Sequence, residues 1–319
     1  MSYLRLPHPS GLTVDRERGC VHIASTRNPN QVYDFVPATG LLDRQDVKLA
    51  ARGDRPLVPA RSRFFPGCLY MHDLALIGGE LHTNAVGHNA IARLHDDGRC
   101  ERVWHPRCIE QDGRPEFGLN YLQLNSIAAG ADLAHSYFSA STDQLSARRP
   151  GHRNFLVDGR GVIFSGETRE VVARGLTRPH SARWHAGKIW VDNSGYGELA
   201  VMTDGRCEAI ARLPGWTRGL CFVGDLAFVG TSRVIPRFRQ YAPGLEVSRS
   251  ECGLHAVEVC SGKVLASLIW PNGNQIFALD WLSPELTTGF PFTVGRARAR
   301  AQEKQFFYAF TTPLTENLI

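Results

Sequence analysis

Residues 72–83 read His-Asp-Leu-Ala-Leu-Ile-Gly-Gly-Glu-Leu-His-Thr, so two alternating apolar runs flank a Gly-Gly turn. Alternation with a period of two is typical of a half-buried strand, and a short glycine turn between two such runs predicts a β-hairpin. The same pattern returns at four further places, and a degenerate copy follows near residue 275. The further copies begin at Ser10, Asn125, His180 and Arg218, and the degenerate copy begins at Gln275 or Ile276.

The copies of this hairpin follow one another at intervals of 38 to 62 residues, and further short strands with Asp-Gly or Ser-Gly turns come after most of them. Four-stranded units at a period near 50 residues are typical of β-propeller blades, which pack face to face around a central channel. The pattern therefore predicts an all-β protein in which residues 1–319 form a single β-propeller domain. Five or six blades fit the spacing, and six is the preferred count. The apolar run at 306–310 is a candidate strand for closing the ring.

Two long segments interrupt the hairpin pattern. Residues 48–66 and 102–119 are rich in Pro and Arg and lack the alternation of strands, so we expect irregular insertions there. Connections of this length in a compact domain tend to be surface excursions or lids over functional sites.

The composition limits both the location and the partners of the protein. Hydrophobic residues make up 43% of the 319 residues and charged residues 21%, which is enough apolar material for a core and excludes overall disorder. The net charge of +5 is scattered along the chain, so we expect no nucleic-acid partner. No apolar run reaches the roughly 18 residues of a membrane helix, and the first residues lack the pattern of a secretion signal. We therefore expect a cytoplasmic protein with no membrane partner.

Several common catalytic and metal motifs do not occur in the sequence. The eight cysteines include no CxxC pair, which favours reduced thiols in the core over a zinc–cysteine site. No GxSxG, P-loop or GxGxxG motif occurs, so a serine-hydrolase elbow or a nucleotide-binding loop lacks support.

The first residue of each inner strand is where we expect the chemistry. In a propeller the first strand of every blade lines the channel, so the copies bring Ser10, His72, Asn125, His180 and Arg218 toward one mouth. Neutral imidazoles and an amide oxygen suit a divalent metal ion such as zinc, manganese or iron, so His72, Asn125 and His180 are the predicted metal ligands. Arg218 is predicted to bind a substrate carboxylate through both guanidinium nitrogens and so to take part in catalysis. The alternative is a polar channel floor without metal, in which the histidines cap backbone groups.

The loops after each second strand are rich in hydroxyl and amide side chains and rise at the same mouth. We predict a catalytic proton-transfer role for His88, because imidazole titrates near neutral pH. A substrate-binding role is predicted for Asn84, Asn89, Asn193, Tyr196 and Arg233. Turn chemistry is the competing interpretation, since Asn, Asp, Ser and Gly satisfy the local backbone of turns.

The same strings resemble an uncharacterised family of bacterial β-propeller proteins, the conserved hypothetical proteins. The resembling segments are 28–35, 71–75, 81–91, 178–185, 192–195 and 213–219. The resemblance implies the propeller fold and marks His72, His88, His180 and Arg218 as motif positions, but it implies no activity. A looser similarity to metal-dependent propeller enzymes, such as lactonases and histidine-rich polysaccharide lyases, implies one divalent ion at the channel floor. The lactonase pattern uses a carboxylate and amides, whereas this ring has two histidines and no acid.

Two functions from different classes fit these residues. The first is a metal-assisted enzyme, a lyase or hydrolase, that acts on a small anionic substrate at the channel mouth, where the ion polarises a carbonyl or carboxylate oxygen. The second is a non-catalytic propeller that binds a peptide or protein partner over the same mouth through Tyr196, Trp216 and Arg233. We favour the enzyme.

Overall fold

The chain folds into a ring of small antiparallel sheets. The computed structural model describes residues 6–26, 30–38, 55–270, 273–287 and 289. Within these residues the strands form three separate four-stranded sheets, one eight-stranded sheet and a two-stranded ladder. The eight-stranded sheet is two four-stranded meanders joined by one parallel bridge, so this part of the chain contains five four-stranded blades. No helix within these ranges is long and apolar enough to cross a membrane.

Consecutive strands of each blade pair antiparallel. Blade one consists of β1 (Pro9–Asp15), β2 (Cys20–Ser25), β3 (Asn30–Pro37) and β4 (Leu57–Phe65). Blade two consists of β5 (Met71–Ile77), β6 (Glu80–Ala85), β7 (Ala90–Leu94) and β8 (Cys100–Trp104). The two-stranded ladder of β9 (Glu110–Gln111) and β10 (Arg114–Pro115) follows it.

The remaining three blades repeat the same meander. Blade three consists of β11 (Leu124–Ala128), β12 (Tyr137–Ala140), β13 (Gly161–Ser165) and β14 (Val171–Leu176). Blade four consists of β15 (Pro179–His185), β16 (Lys188–Asn193), β17 (Glu198–Thr203) and β18 (Arg206–Arg212). Blade five consists of β19 (Trp216–Val223), β20 (Leu226–Ser232), β21 (Gly253–Glu258) and β22 (Val264–Ile269). The first strands of successive blades are neighbours, as expected for inner strands around a channel.

The segment 275–282 lies between blade five and blade one. Ile276 accepts a hydrogen bond from the hydroxyl of Ser232 at 3.1 Å and donates its backbone N–H to the same oxygen at 2.9 Å. At the other end of the segment, Asp280 pairs with Arg16 just after β1. The described residues therefore contain five complete blades, and the segment 275–282, which forms no strand, bridges blade five and blade one. The all-β propeller predicted from the hairpin copies is confirmed.

Apolar layers between neighbouring blades hold the ring together. Because side chains alternate along each strand, one face of a blade meets the next blade and buries its apolar residues there. Between blades two and three, Trp104 packs on Phe138, with ring centroids 4.3 Å apart, and on Phe164 at 6.2 Å. Trp104 also donates its indole N–H to the carbonyl of Gly166 at 2.9 Å. Similar clusters lie between other neighbouring blades, so a blade buries its faces only with its neighbours present.

The inner strand of each of the five blades carries a β-bulge near its first residues. The pairing of the first two strands shifts register between Met71 and Leu74 in blade two and between His180 and Arg183 in blade four. Blades one, three and five shift at the same place. A bulge interrupts the regular alternation of side chains and changes the direction in which they point. Residues at these positions therefore face the channel mouth rather than the apolar layers.

Polar side chains at this mouth join each blade to the next one. Asn84 at the end of β6 donates an amide hydrogen to the carbonyl of Leu124 at 2.9 Å, and Asn125 donates to the carbonyl of Pro179 at 2.9 Å. The same kind of bond to the next inner strand is made by the hydroxyls of Ser10, Ser194 and Ser232. The hydroxyl- and amide-rich loops therefore serve in large part to close the ring.

The connections differ in part from the expected insertions. Residues 57–65, placed by the sequence analysis in an irregular segment, form β4, the outer strand of blade one. The proline and the arginines of this segment interrupt its alternation of apolar and polar residues. An edge strand tolerates them, because one of its sides makes no hydrogen bonds to a further strand. Residues 48–54 and the candidate closing strand at 306–310 lie outside the described residues. Residues 102–119 continue from β8 into a connection with the 3-10 helix Arg107–Ile109.

Candidate functional site

A cavity of about 220 Å³ opens at the mouth where the inner strands begin. Its wall comes from blades two, four and five and from the connection 233–252, which carries the 3-10 helix Pro236–Tyr241. The imidazole and guanidinium groups in the wall belong to His72, His180, Arg178, Arg218 and Arg233. The aromatic side chains are those of Trp216, Phe238 and Tyr241. The repeated bulges thus bring His72, His180 and Arg218 together from three different blades.

His180 uses one ring nitrogen for hydrogen bonds to the scaffold. Its Nδ1 lies 2.9 Å from the carbonyl oxygen of Arg178 and 2.9 Å from Oγ of Ser194. A carbonyl only accepts, and Ser194 donates its own hydrogen to the carbonyl of Thr217 at 2.6 Å, so Nδ1 carries the hydrogen. In the neutral ring Nε2 is therefore an unprotonated base.

His72 is held in the same tautomer by Asn125. Its Nδ1 lies 3.4 Å from Oδ1 of Asn125. The amide nitrogen of Asn125 donates to the carbonyl of Pro179 at 2.9 Å and to Oγ of Ser141 at 3.2 Å, which fixes the orientation of the amide and leaves its oxygen as an acceptor. Nδ1 of His72 is thus the donor, and Nε2 is the second unprotonated nitrogen at this site.

Both imidazoles stay neutral at physiological pH. Burial lowers the pKa of His72 to about 3, and the neighbouring guanidinium of Arg218 adds to this effect. Burial is also the largest cause that puts the pKa of His180 well below its ordinary value, and Arg218, His72 and Arg178 add to it. The cavity therefore combines two neutral bases with nearby positive charge.

Arg218 has no counter-ion in the described part of the chain. Its guanidinium carbon lies 3.2 Å from the centroid of the Phe277 ring, and the group makes no hydrogen bond or ion pair to a described residue. Burial lowers its pKa to about 9, so the group remains protonated at neutral pH. Breaking a buried ion pair costs on the order of 3–5 kcal/mol, because the remaining charge is left uncompensated. The positive charge of Arg218 is therefore not compensated by a described residue in contact with it.

Arg178 is a second buried cation beside the same cavity, with 3% of its surface exposed. Its terminal nitrogens donate to the side-chain oxygen of Gln123 and to the carbonyl of Pro150, which are both neutral acceptors. Its guanidinium carbon lies 3.9 Å from the centroid of the Tyr241 ring. Nε is buried and has no partner among the described residues. Burial lowers the pKa to about 10, so Arg178 is also charged at neutral pH.

The carboxyl groups nearest to these arginines lie deeper in the channel. Asp73 accepts two hydrogen bonds from the guanidinium of Arg183, at 2.7 and 3.2 Å. Asp192 is fully buried in β16 and forms no well-aligned hydrogen bond to a described residue, although Ser181 lies close to it. Burial raises the pKa of Asp192 well above its ordinary value, which favours the neutral acid. No Asp or Glu in the described ranges lines the cavity, which therefore carries excess positive charge.

The donor groups at this mouth do not fit the divalent ion that the sequence analysis expected. Nδ1 of His72 lies 3.4 Å from the oxygen of Asn125, so that oxygen already has one hydrogen-bond partner. The described ranges hold no group of three or more His, Cys, Asp or Glu side chains placed to bind a metal. The guanidinium groups of Arg178, Arg218 and Arg233 would repel a cation in the same space. The predicted ligands His72, Asn125 and His180 therefore lie at a mouth whose described lining carries positive charge.

The three asparagines predicted to bind substrate bond to the scaffold instead. Asn84 is fully buried and accepts the backbone N–H groups of His72 and Asp73, at 3.0 and 2.6 Å. Asn89 is fully buried and bonds to four backbone groups in the connection before β11. Asn193 accepts a backbone N–H at the end of blade three at 2.7 Å. None of these amides lines the cavity.

Two other predicted residues also lie away from the cavity, and one lies in it. His88 ends a one-turn 3-10 helix between β6 and β7, where burial and Arg102 lower its pKa. Tyr196 donates its hydroxyl to Asp158 at 3.0 Å. Arg233 follows β20 and lines the mouth, as the sequence analysis expected of a substrate-binding residue.

Sequence reasoning missed several residues of the wall, among them Gln123, Arg178, Phe238 and Tyr241. Arg178 lies just before β15 and has a φ of 54°. No local sequence motif predicts this left-handed backbone conformation. Phe238 and Tyr241 come from the long interval between β20 and β21. That interval, which breaks the spacing of strands within blade five and contains these two aromatic residues, was the available signal.

The fold is shared with several proteins of known structure. A luciferin-regenerating enzyme is 10% identical with a TM-score of 0.58, and the match covers 88% of this chain and 82% of that chain. A gluconolactonase from Xanthomonas campestris is 12% identical with a TM-score of 0.53, covering 85% and 79%. A chain of the nidogen/laminin complex is 9% identical with a TM-score of 0.54, covering 85% and 83%. At this identity the likeness shows the propeller fold alone, which enzymes and a protein complex both use.

Sequence comparison points to a family without an assigned activity. No curated protein matches the chain in sequence. Residues 1–288 match DUF4915, a domain of unknown function. This agrees with the resemblance to an uncharacterised family, and it leaves the function to be argued from the cavity.

Proposed function

We propose that this chain, which belongs to the DUF4915 family, is an enzyme that binds a small organic anion at its channel mouth and transfers a proton on it. The reaction class is hydrolysis or elimination, in which an imidazole takes a proton from water or from a carbon beside a carboxylate. Arg218 binds the anionic group, and His180 and His72 supply the bases. Because the donor groups suit an anion, no step is assigned to a metal.

The observation that carries this proposal is the chemistry of one cavity wall. Arg178 is a buried cation and Arg218 a partly buried one, and neither has a carboxylate partner among the described residues. His72 and His180 are neutral bases beside them. A guanidinium in a partly dry site binds carboxylate or phosphate strongly, since it donates two parallel hydrogen bonds. An imidazole next to the bound group is then placed to act on it.

The low pKa values of the imidazoles are consistent with a base that becomes stronger once substrate binds. In the free cavity, burial and then Arg218 oppose protonation of His72, and the same charge acts on His180. A bound anion offsets that positive field, so the proton affinity of both rings rises toward the range useful for catalysis. His180 is the better placed of the two, because Ser194 and the Arg178 carbonyl hold its ring and leave Nε2 for the reaction.

The size of the cavity favours a metabolite over a peptide. Sites for drug-sized ligands have volumes of about 300–1,000 Å³, and this cavity has about 220 Å³. The alternative function, binding of a peptide or protein over the mouth, relied on Tyr196, Trp216 and Arg233, and Arg233 also lines the cavity. Trp216 lines the cavity, whereas Tyr196 bonds to Asp158 outside it.

The first test is binding of an anion that depends on Arg218. The thermal unfolding of the purified protein is followed with a panel of small carboxylates, phosphates and sulfonates. We expect at least one anion to raise the unfolding temperature of the natural protein and to have no effect on Arg218→Met. The matched control is Arg99→Met, which removes an exposed arginine paired with Asp97. Stabilisation that survives in Arg218→Met would contradict the proposal.

The second test separates the base from binding. The stabilising anions are incubated with the protein, and products are followed by NMR. We expect His180→Asn to bind the anion and to lose turnover, while His185→Asn keeps both, since His185 stacks on Phe222 at the other end of β15. Turnover that persists in His180→Asn would contradict its assigned role. Binding without any turnover in the natural protein would favour the non-catalytic alternative.

A further inference from the structure

We infer that the ligand of this cavity carries two negative charges and contacts both Arg218 and Arg178. The inference rests on the proposed function, because it concerns the same cavity and narrows the class of substrate. A dicarboxylate and a phosphate monoester share this chemistry, and the experiment below distinguishes them.

The first argument is how Arg178 is held. A buried arginine with a purely structural role is expected to pair with a carboxylate, because an uncompensated charge is unfavourable in a dry site. Here the terminal nitrogens donate to the neutral oxygens of Gln123 and Pro150, and Nε has no partner in the described ranges. Tyr241 supports one face of the guanidinium. The group is therefore fixed in place with its charge still uncompensated.

The second argument is the balance of charge around the cavity. Arg183 and Asp73 form an ion pair and cancel each other. Asp192 is buried with no charged partner in contact, which favours its neutral acid. With His72 and His180 neutral, the buried groups leave two positive charges, on Arg178 and Arg218. A monoanion would compensate one of them and a dianion both.

The two arginines also act on the same imidazole. Arg178 and Arg218 both line the cavity beside His180, and Nδ1 of His180 bonds to the backbone carbonyl of Arg178 at 2.9 Å. Arg233 adds a third guanidinium at the exposed rim, where solvent and salt screen it. A ligand held by the two arginines would therefore lie beside Nε2 of His180, where the proposed proton transfer takes place.

The experiment compares matched monoanions and dianions by isothermal titration calorimetry at pH 8. The pairs are glutaramate with glutarate, and phenyl sulfate with phenyl phosphate, whose second ionisation lies near pH 6. We expect the dianion of at least one pair to bind more tightly than its partner by about tenfold or more, which is 1.4 kcal/mol. The glutarate pair reports a dicarboxylate site, and the phenyl pair reports a phosphate site. If no dianion binds more tightly than its monoanion, the inference is overturned.

Variants connect the preference to Arg178. In Arg178→Met we expect the dianion-to-monoanion ratio to fall toward one, and in Arg178→Lys we expect most of the ratio to remain, because the charge is kept. Arg174→Met, which removes an exposed arginine paired with Asp143, should leave the ratio unchanged. A ratio that stays high in a folded Arg178→Met would overturn the inference while the dependence on Arg218 stands. Binding of both anions that is insensitive to Arg218→Met would instead overturn the proposed function itself.

Discussion

The guanidinium carbon of Arg218 lies 3.2 Å from the centroid of the Phe277 ring, so a cation from blade five packs on a side chain of the segment 275–282, which bridges blades five and one. The same ring meets His72 of blade two at right angles, with centroids 5.9 Å apart. Phe277 thus contacts one predicted anion-binding group and one predicted base. The closing segment of the ring is therefore part of the site.

Replacement of Phe277 by Leu should weaken anion binding without removing the charge of Arg218. A cation–π contact is worth about 0.5–2 kcal/mol depending on desolvation, so we expect the affinity for the stabilising anion to fall between about twofold and thirtyfold. Isothermal titration calorimetry measures this directly. The matched control is Phe64→Leu, since Phe64 is 56% exposed on β4. Equal effects of the two substitutions would show that Phe277 does not position Arg218.

Anion binding should be independent of divalent metal. The positive charge of Arg178 and Arg218 opposes a cation in this space, and His72 donates to the Asn125 oxygen that a metal would need. We therefore expect elemental analysis of the purified protein to find no stoichiometric metal. We also expect treatment with a chelator to leave the anion affinity unchanged. This prediction would be contradicted if the protein contained one equivalent of metal and lost it in His72→Ala or His180→Ala. That result would support the metal ligands expected from the sequence.

Asn84→Ala should reduce stability rather than ligand affinity. Asn84 accepts the backbone N–H groups of His72 and Asp73 and donates to the carbonyl of Leu124, and all three groups would be left buried and unpaired. An unpaired buried group costs about 1–3 kcal/mol, so the free energy of unfolding in urea should fall by about 3 kcal/mol or more. The control is Asn154→Ala in an exposed loop. If Asn84→Ala has normal stability but binds the anion more weakly, the result would instead support the substrate-binding role predicted from the sequence.

The propeller and the convergence of three site residues could be predicted because both follow from repetition. Each hairpin copy places an equivalent residue at the start of an inner strand, so His72, His180 and Arg218 occupy equivalent positions that meet at one mouth. The bulge that re-aims them recurs in blades one to five. Prediction failed for β4, because a proline and several arginines mask the alternation of an edge strand.

The sign of the charge in the cavity could not be predicted from the sequence, because it depends on which side chains are paired in the fold and not on residue types alone. Asn84 and Asn193 have the composition of a binding mouth, yet their amides bond to backbone groups of neighbouring strands. Arg178 lies just before a hairpin copy and reaches the cavity through a left-handed backbone conformation. Only the folded arrangement of all the blades shows which arginines lack a carboxylate partner. For this reason the sequence analysis expected a cation site, whereas we propose an anion site.

Away from the cavity, the ion pair of His22 and Asp34 predicts how stability depends on pH. Nδ1 of His22 lies 2.6 Å from Oδ1 of Asp34, which also accepts from Arg63 at 2.8 Å. Burial alone would lower the pKa of His22, but the hydrogen bond to Asp34 outweighs it and, with Cys20 beside the ring, raises the pKa to about 9. Burial would raise the pKa of Asp34, but the bonds from His22 and Arg63 lower it to about 2.

Because the pKa of His22 is higher in the folded than in the unfolded chain, its contribution is fully present below about pH 6.5 and is lost as the pH rises through about 9. We expect the free energy of unfolding in urea to fall by on the order of 2 kcal/mol between pH 7 and pH 10 through this group. His22→Gln should be less stable at pH 7 and should show a flatter decline, whereas His8→Gln, at an exposed position, should follow the natural protein. An unchanged slope in His22→Gln would mean that His22 is not charged in the folded state, and the pair with Asp34 would then be an ordinary neutral hydrogen bond.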